Sequence, residues 1–249
     1  MENERVSIRV VSGLCQTAGM AVDPGLSGVI RSLQVGSPSL LPWRGGTVPS
    51  AIVKDEVSGP VALGREQLDG DEQADLSVHG GPDKAVCCYA VEHAAHWTPI
   101  LGQEPPPGAF GENLTLEGLT EDRVHIGDEF TVGTAVVQVS QPRGPCFKLA
   151  ARWNVRELPG LMARGMNSGF YLRVLEPGEV AAGDVLTQVA RRSEISVAEV
   201  MRVTYVARRD DAARRAVLAV PELAEQWRAG LLKLEARSAL PAPTFGVEE

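Results

Sequence analysis

Glu129–Trp153 reads EFTVGTAVVQVSQPRGPCFKLAARW. Gly133-Thr134 separates two runs rich in β-branched residues, Glu129–Val132 and Ala135–Ser140, so this half reads as a β-hairpin with Val137 and Val139 on one face. The second half changes character. Gln141-Pro142-Arg143-Gly144-Pro145 is a turn holding two prolines and a glycine, and Cys146 then opens a helix that carries Phe147, Leu149, Ala150 and Trp153. A strand that ends in a rigid turn before a helix puts the thiol in the first helical turn, where unpaired amides and the positive end of the helix dipole favour thiolate. Arg143 and Lys148 add positive charge to the same neighbourhood. Low thiol pKa, a rigid approach and nearby cations suit a nucleophile or a soft-metal ligand. The plain alternative is that Cys146 packs as a small buried hydrophobe.

Outward from this hairpin, the chain from Val6 to Val189 keeps one style. Short β-branched runs such as Ser50–Val53 and Ala85–Tyr89 alternate with Gly and Pro punctuation, the pattern of a mainly β chain closed into a barrel with short peripheral helices. The opening Met1–Gly13 reads as a first strand rather than a secretory signal. After about Arg191 the pattern becomes helical. Ser196 and Glu199 have the spacing of a capping box, Asp210 caps a second helix through Val220, and Pro221 suits the first turn of a third. In that third helix Leu223, Trp227, Leu231 and Leu234 recur at helical spacing. The expected organisation is a barrel over 1–190 and a small three-helix module over 191–249, whose tail Pro241–Glu249 has nothing to bury and is expected to be mobile.

Composition narrows the function. The chain has 249 residues, 44% hydrophobic, enough for a real core without disulfide staples. Its formal net charge of -8 lacks the positive field that sequence-independent nucleic-acid binding needs, although a local basic pocket is compatible with it. No run approaches the roughly 20 apolar residues of a membrane helix. Cys87 and Cys88 are adjacent and cannot easily pair with each other, while Cys15 and Cys146 stand in unrelated contexts, which points to a reducing, cytoplasmic setting.

Two further segments have the look of a site. His79-Gly80-Gly81-Pro82-Asp83-Lys84 is a polar turn feeding a strand: its glycines let backbone amides approach an anion, His79 can orient a ligand and Lys84 can pair with phosphate. Any sharp turn has a similar composition. Phe110-Gly111-Glu112-Asn113-Leu114 precedes a strand, and Asn113 offers a paired donor and acceptor to a heterocycle edge, or else satisfies its own turn. Zinc-site spacing is missing from His79, Cys87 and Cys88. No His among His79, His93, His96 and His125 stands beside Cys146 in sequence, so a thiol-nucleophile triad cannot be assigned.

Taken in order, GDEQADLSVHGGPDKAV (Gly70–Val86), GAFGENLTLEGL (Gly108–Leu119), IGD (Ile126–Asp128) and VVQVSQPRGPCFKLAARW (Val136–Trp153) closely resemble the MOSC domain in its YiiM-type branch. The resemblance runs from about Ser50 to Val189, with Thr47–Val61 as its weaker start, and Arg191–Leu234 resembles the three-helix module that follows the domain in that branch. It implies a β-barrel that binds a molybdopterin-type molybdenum cofactor, with Cys146 as the molybdenum ligand. By position it assigns Asn113, Arg143 and Gly144 to the cofactor pocket, adds His79 and Lys84 from a family motif, and gives Lys54 to the cofactor phosphate. Lys54 is followed here by Asp55 and Glu56, where many relatives are more basic or neutral, and two carboxylates beside it weaken anion binding unless they point away. The implied activity is reduction of N-hydroxylated bases or related small molecules, the metal taking an oxygen from an N-hydroxyl group and being re-reduced by two electrons. The chain has no CxxxxCxxC cluster motif and no GxGxxG fingerprint, so electrons are expected from a separate reductase. A different class of function, a carrier of cofactor or sulfur without turnover, uses the same cysteine.

Overall fold

Gly133 shows why the chain folds back at the hairpin. Its φ of 54° lies in the left-handed region, and a Cβ there would fall 2.1 Å from the Glu179 carbonyl, so a side chain is excluded twice over. Strands Glu129–Val132 and Ala135–Pro142 pair antiparallel around it, and Val137 and Val139 are fully buried on the inner face.

The computed structural model describes residues 25–77 and 79–238. The expected first strand in Met1–Gly13, the Cys15 thiol and the tail Pro241–Glu249 lie outside the described residues. Twelve strands follow in chain order: β1 Ser27–Val35, β2 Ser39–Trp43, β3 Gly46–Ser50, β4 Asp55–Glu56, β5 Val61–Leu63, β6 Val86–Ala90, β7 Leu114–Glu117, β8 Glu129–Val132, β9 Ala135–Pro142, β10 Phe170–Glu176, β11 Gly178–Val180 and β12 Val185–Ala190. Seven of them close a barrel in the order β12-β8-β9-β10-β6-β7-β1, with β1 pairing back onto β12. Closure satisfies every barrel edge. The β6–β7 pair alone is parallel, and such a pair needs a crossover, supplied here by α1 (Ala94–Leu101) and the loop that leads to Asn113. Ser50–Val53 is not the strand expected from its composition. β3 ends at Ser50, and Ala51–Lys54 leaves the sheet to line a cleft.

A second apolar cluster sits outside the barrel. Trp97 of α1, Phe110, Tyr89, and Leu149, Leu158 and Met162 of α2 (Phe147–Trp153) and α3 (Leu158–Gly165) pack there, with the Tyr89 and Phe110 ring centroids 4.5 Å apart. This packing fixes the strand-to-helix turn that carries Cys146.

The β9–β10 register shifts between Tyr171 and Leu172, which pair with Gln141 and Val139 and so skip Ser140. Such a bulge frees the backbone of the extra residue. The Ser140 carbonyl accepts the Ala224 amide at 3.0 Å, and its hydroxyl lies 2.6 Å from the Asp83 carbonyl. The C-terminal helices are thereby tied to the barrel. They are α4 (Val197–Met201), which runs on as a π turn over Arg202–Val206, α5 (Asp211–Leu218) and α6 (Glu225–Ser238). Ser196 caps α4 by accepting from the Glu199 amide at 3.1 Å, but Glu199 pairs with Arg202 at 2.6 Å rather than closing the box. Asp210 caps α5 through Ala213 at 3.0 Å. Pro221 opens a turn four residues ahead of α6 instead of the helix itself. No strand occurs among the described residues after Ala190, and Val197, Val200, Val217, Leu223 and Leu231 join the barrel core in one apolar cluster. No described helix is long and apolar enough to cross a membrane.

Candidate functional site

Where β9 leaves the barrel, Arg143 is locked by its backbone. Its amide donates to Gly169 O at 2.9 Å and its carbonyl accepts the Ser168 hydroxyl. The guanidinium turns inward, is only 6% exposed, and donates through Nη2 to Phe110 O. Nη1 is buried with no hydrogen-bond partner among the described residues. A buried, permanently charged donor without a partner is costly unless a ligand completes it. Cys146, three residues on, is half-buried and extended (φ −115°, ψ 164°). It stands just ahead of α2, not inside its first turn as the sequence suggested, and α2 is only seven residues long.

Both residues line one solvent-open cleft. All seven residues singled out from sequence, Lys54, His79, Lys84, Asn113, Arg143, Gly144 and Cys146, border this one cleft although they are spread over β3–β4, the loop before β6, the start of β7 and the end of β9. Their states differ. The amide of Asn113 is largely used by the fold: Oδ1 accepts from Cys87 N at 3.0 Å and Nδ2 donates to Gln34 O at 3.2 Å, which pins β6 to β1 beneath the cleft. One N–H and one lone pair remain for a ligand. Lys54 is paired with Asp71, and both side chains are almost fully buried. Asp55 and Glu56 lie exposed in β4, so the carboxylate that neutralises Lys54 is one that its sequence neighbours do not reveal.

His79 reports the local field. Burial first, and then Lys148, Lys84 and Arg143, push it down from 6.5 to about 4, so its ring is neutral near pH 7. Burial also lowers Lys84 against the pull of Asp83. Three cations therefore converge on one wall of an otherwise acidic chain. Gly80 and Gly81 hold φ of 85° and 87°, which lets this loop turn tightly beside the cleft.

The sequence reading missed Cys87 and Tyr171. Cys87 lines the cleft from β6, and burial pushes its thiol up to about 11 against the opposing charge of Arg143, so it stays a thiol. Tyr171 bonds to Cys87 from β10, and burial raises its phenol as well. Cys87 sits inside the β-branched run Ala85–Tyr89 and Tyr171 inside β10, and residue alternation says nothing about a cleft at the barrel mouth. Among the described residues no group of three or more His, Cys, Asp or Glu comes together in a way that holds a metal ion.

Residues 75–187 match the family model described as MOSC domain, and residues 195–234 match that of a YiiM-like, 3-alpha helix domain. The chain is 43% identical to the uncharacterized protein YflK of Bacillus subtilis, over 84% of this chain and 95% of that one. A protein named reductase from Gibberella moniliformis is 37% identical over 64% of this chain, which spans 29% of that relative's length. The crystal structure of YiiM from Geobacillus stearothermophilus superposes with a TM-score of 0.71 at 38% identity, over 83% of this chain and 98% of that one.

Proposed function

Because the chain belongs to the MOSC domain family, whose function is related to the molybdenum cofactor, we propose that it is an oxidoreductase that binds this cofactor through Cys146 and reduces N-hydroxylated bases or related small molecules. The observation that carries this reading is the pairing, in one cleft, of an accessible thiol with a buried guanidinium whose Nη1 has no partner. A cofactor with a sulfur-ligated metal at one end and a phosphate at the other matches that donor set: thiolate suits the soft metal, and Arg143, Lys84 and Lys148 suit the anion. Because side chains alone do not assemble a metal site among the described residues, a metal at Cys146 would need its other ligands from the group that carries it.

When bound, the cofactor supplies a two-electron metal centre. The chain's own residues do the rest. Cys146, which lines the cleft, would hold the metal. Arg143 anchors the anionic end with a donor already desolvated and held by its bond to Phe110, so little ordering is needed on binding. Neutral His79 presents one N–H and one lone pair to the ligand without adding charge. In the net reaction an N–O bond breaks, two electrons arrive from a separate reductase with two protons, and the products are the amine and water.

The test is purification of the protein from a molybdenum-replete host, with elemental analysis and a donor-driven assay on an N-hydroxylated purine. Bound molybdenum with turnover supports the reading. Molybdenum without turnover of any N-hydroxylated compound leaves a carrier, and protein that never takes up molybdenum removes the mechanism.

A further inference from the structure

A second cleft, with about 880 Å³ of empty space, opens from the first. The two share His79, Lys84, Gly144, Cys146, Lys148 and Tyr171, so Cys146 faces both. Besides Asp75 and Phe147, which flank His79 and Cys146, the second adds Gln141 from the end of β9, and Gln226 and Trp227 from α6. We propose that the C-terminal helical module forms the substrate wall of the site, with Trp227 and Gln141 selecting planar nitrogen heterocycles. This rests on the reading of Cys146 as the centre of the reaction.

The placement of Trp227 is built in. The bulge at Ser140 holds the Ala224 amide at 3.0 Å, and the Trp227 amide bonds back to Ala224 O at 3.0 Å. Arg173 of β10 reaches both Glu222 O, at 2.9 Å, and the Asp83 carboxylate, at 2.8 Å, which ties the module to the loop that carries Lys84. Tyr205 braces the indole edge-on, ring centroids 6.3 Å apart. A Cβ on Gly144 would lie 3.6 Å from the Trp227 ring, so the indole closes over the turn that leads to Cys146.

Two polar atoms on this wall lack partners. Trp227 Nε1 is buried with no acceptor among the described residues. Gln141 is 2% exposed, its amide nitrogen goes to Pro142 O at 3.3 Å, and its Oε1 accepts from no group among the described residues. One unmet donor and one unmet acceptor beside an aromatic ring match a flat heterocycle that carries a ring nitrogen next to an N–H. Such a ring accepts from Trp227, edge to edge with the indole, and donates to Gln141, while its N-hydroxyl group reaches toward Cys146. An N-alkylhydroxylamine has no flat edge that presents a ring nitrogen beside an N–H, so it cannot meet both groups at once.

The experiment compares the full-length holoprotein with Trp227→Phe, which keeps a ring and drops the N–H, and Gln141→Met, which keeps the volume and drops the acceptor. Steady-state rates are taken on an N-hydroxylated aminopurine and on an N-alkylhydroxylamine, and adenine affinity is measured by calorimetry. Each variant is expected to lower the purine-to-hydroxylamine ratio of kcat/KM about tenfold, mainly through KM, and to weaken adenine binding to a similar degree, with molybdenum content kept. A ratio and an adenine affinity equal to the parent's overturn the inference even if turnover is normal. Adenine binding that depends on Trp227 in a protein without molybdenum leaves the subsite standing and sinks the cofactor reading instead.

Discussion

Replacing Arg143 with Met separates a ligand-facing charge from a packing residue. The backbone at this position is held by Gly169 and Ser168, independently of the side chain, and methionine keeps much of the length and apolar stem. What disappears is the bond to Phe110 O and the unpartnered Nη1. An orphaned buried carbonyl costs about 1 to 3 kcal/mol. Against this, Arg143 makes no direct ion pair among the described residues, and Glu112 acts on it without contact, so the substitution also removes a buried charge that is only partly compensated. The two effects oppose each other, and the expected change in Tm is a few degrees, at about 2 to 4 °C per kcal/mol for a chain of this size. Cofactor binding has no such offset. It loses a charge-assisted hydrogen bond of about 1.5 to 3 kcal/mol, which at 1.4 kcal/mol per decade is roughly 10- to 150-fold in affinity. The assay follows molybdenum per chain through dilution and gel filtration, with calorimetry for Tm. Molybdenum retention within about twofold of the parent refutes the reasoning, and so does a collapse of the fold that outweighs the loss of cofactor.

Three further outcomes follow from the same geometry. Because His79 titrates near 4 in the folded protein against 6.5 ordinarily, the folded state binds fewer protons across that window, so stability present above 6.5 is lost as pH falls toward 4. His79→Gln is expected to flatten this part of the pH dependence in denaturant melts at pH 7.5 and 5, and parallel curves contradict the assignment. Asp71→Asn leaves the Lys54 ammonium buried without its counter-charge and is expected to cost about 3 to 5 kcal/mol in urea unfolding. A loss below about 1 kcal/mol shows that Lys54 has another partner. Glu112, 1% exposed, accepts from Gly108 N at 2.8 Å, Phe110 N at 3.0 Å and the Thr115 hydroxyl at 3.0 Å; Gly108 N keeps the Thr115 hydroxyl at 3.3 Å, so Glu112→Ala strands the Phe110 amide at about 1 to 3 kcal/mol. An unfolding midpoint equal to the parent's counts against that network.

The Glu129–Pro142 hairpin and the turn to Cys146 were legible because local rules decide them: alternation, a glycine at positive φ, and two prolines. Ser50–Val53 misled for the opposite reason. Its β-branched composition is real, but Ile52 is buried against the cleft wall instead of in a sheet, and only tertiary packing tells the two apart. Asn113 was found for its amide, yet most of that amide serves Cys87 and Gln34, partners 26 and 79 residues away. The same limit hid the Asp71 partner of Lys54. Trp227 was read correctly as part of a helical apolar stripe, and its place at the mouth of the site depends on a bulge at Ser140 that no period in the sequence announces.

The central claim, that Cys146 holds molybdenum, is tested most directly by molybdenum-edge X-ray absorption on the parent protein and on Cys146→Ser, each purified with cofactor. The substitution nearly preserves size and exchanges a soft ligand for a hard, poorly ionised one. The account predicts that the variant stays folded, has one sulfur fewer around the metal and loses turnover of the N-hydroxylated purine. An identical absorption spectrum with turnover at the parent rate contradicts it.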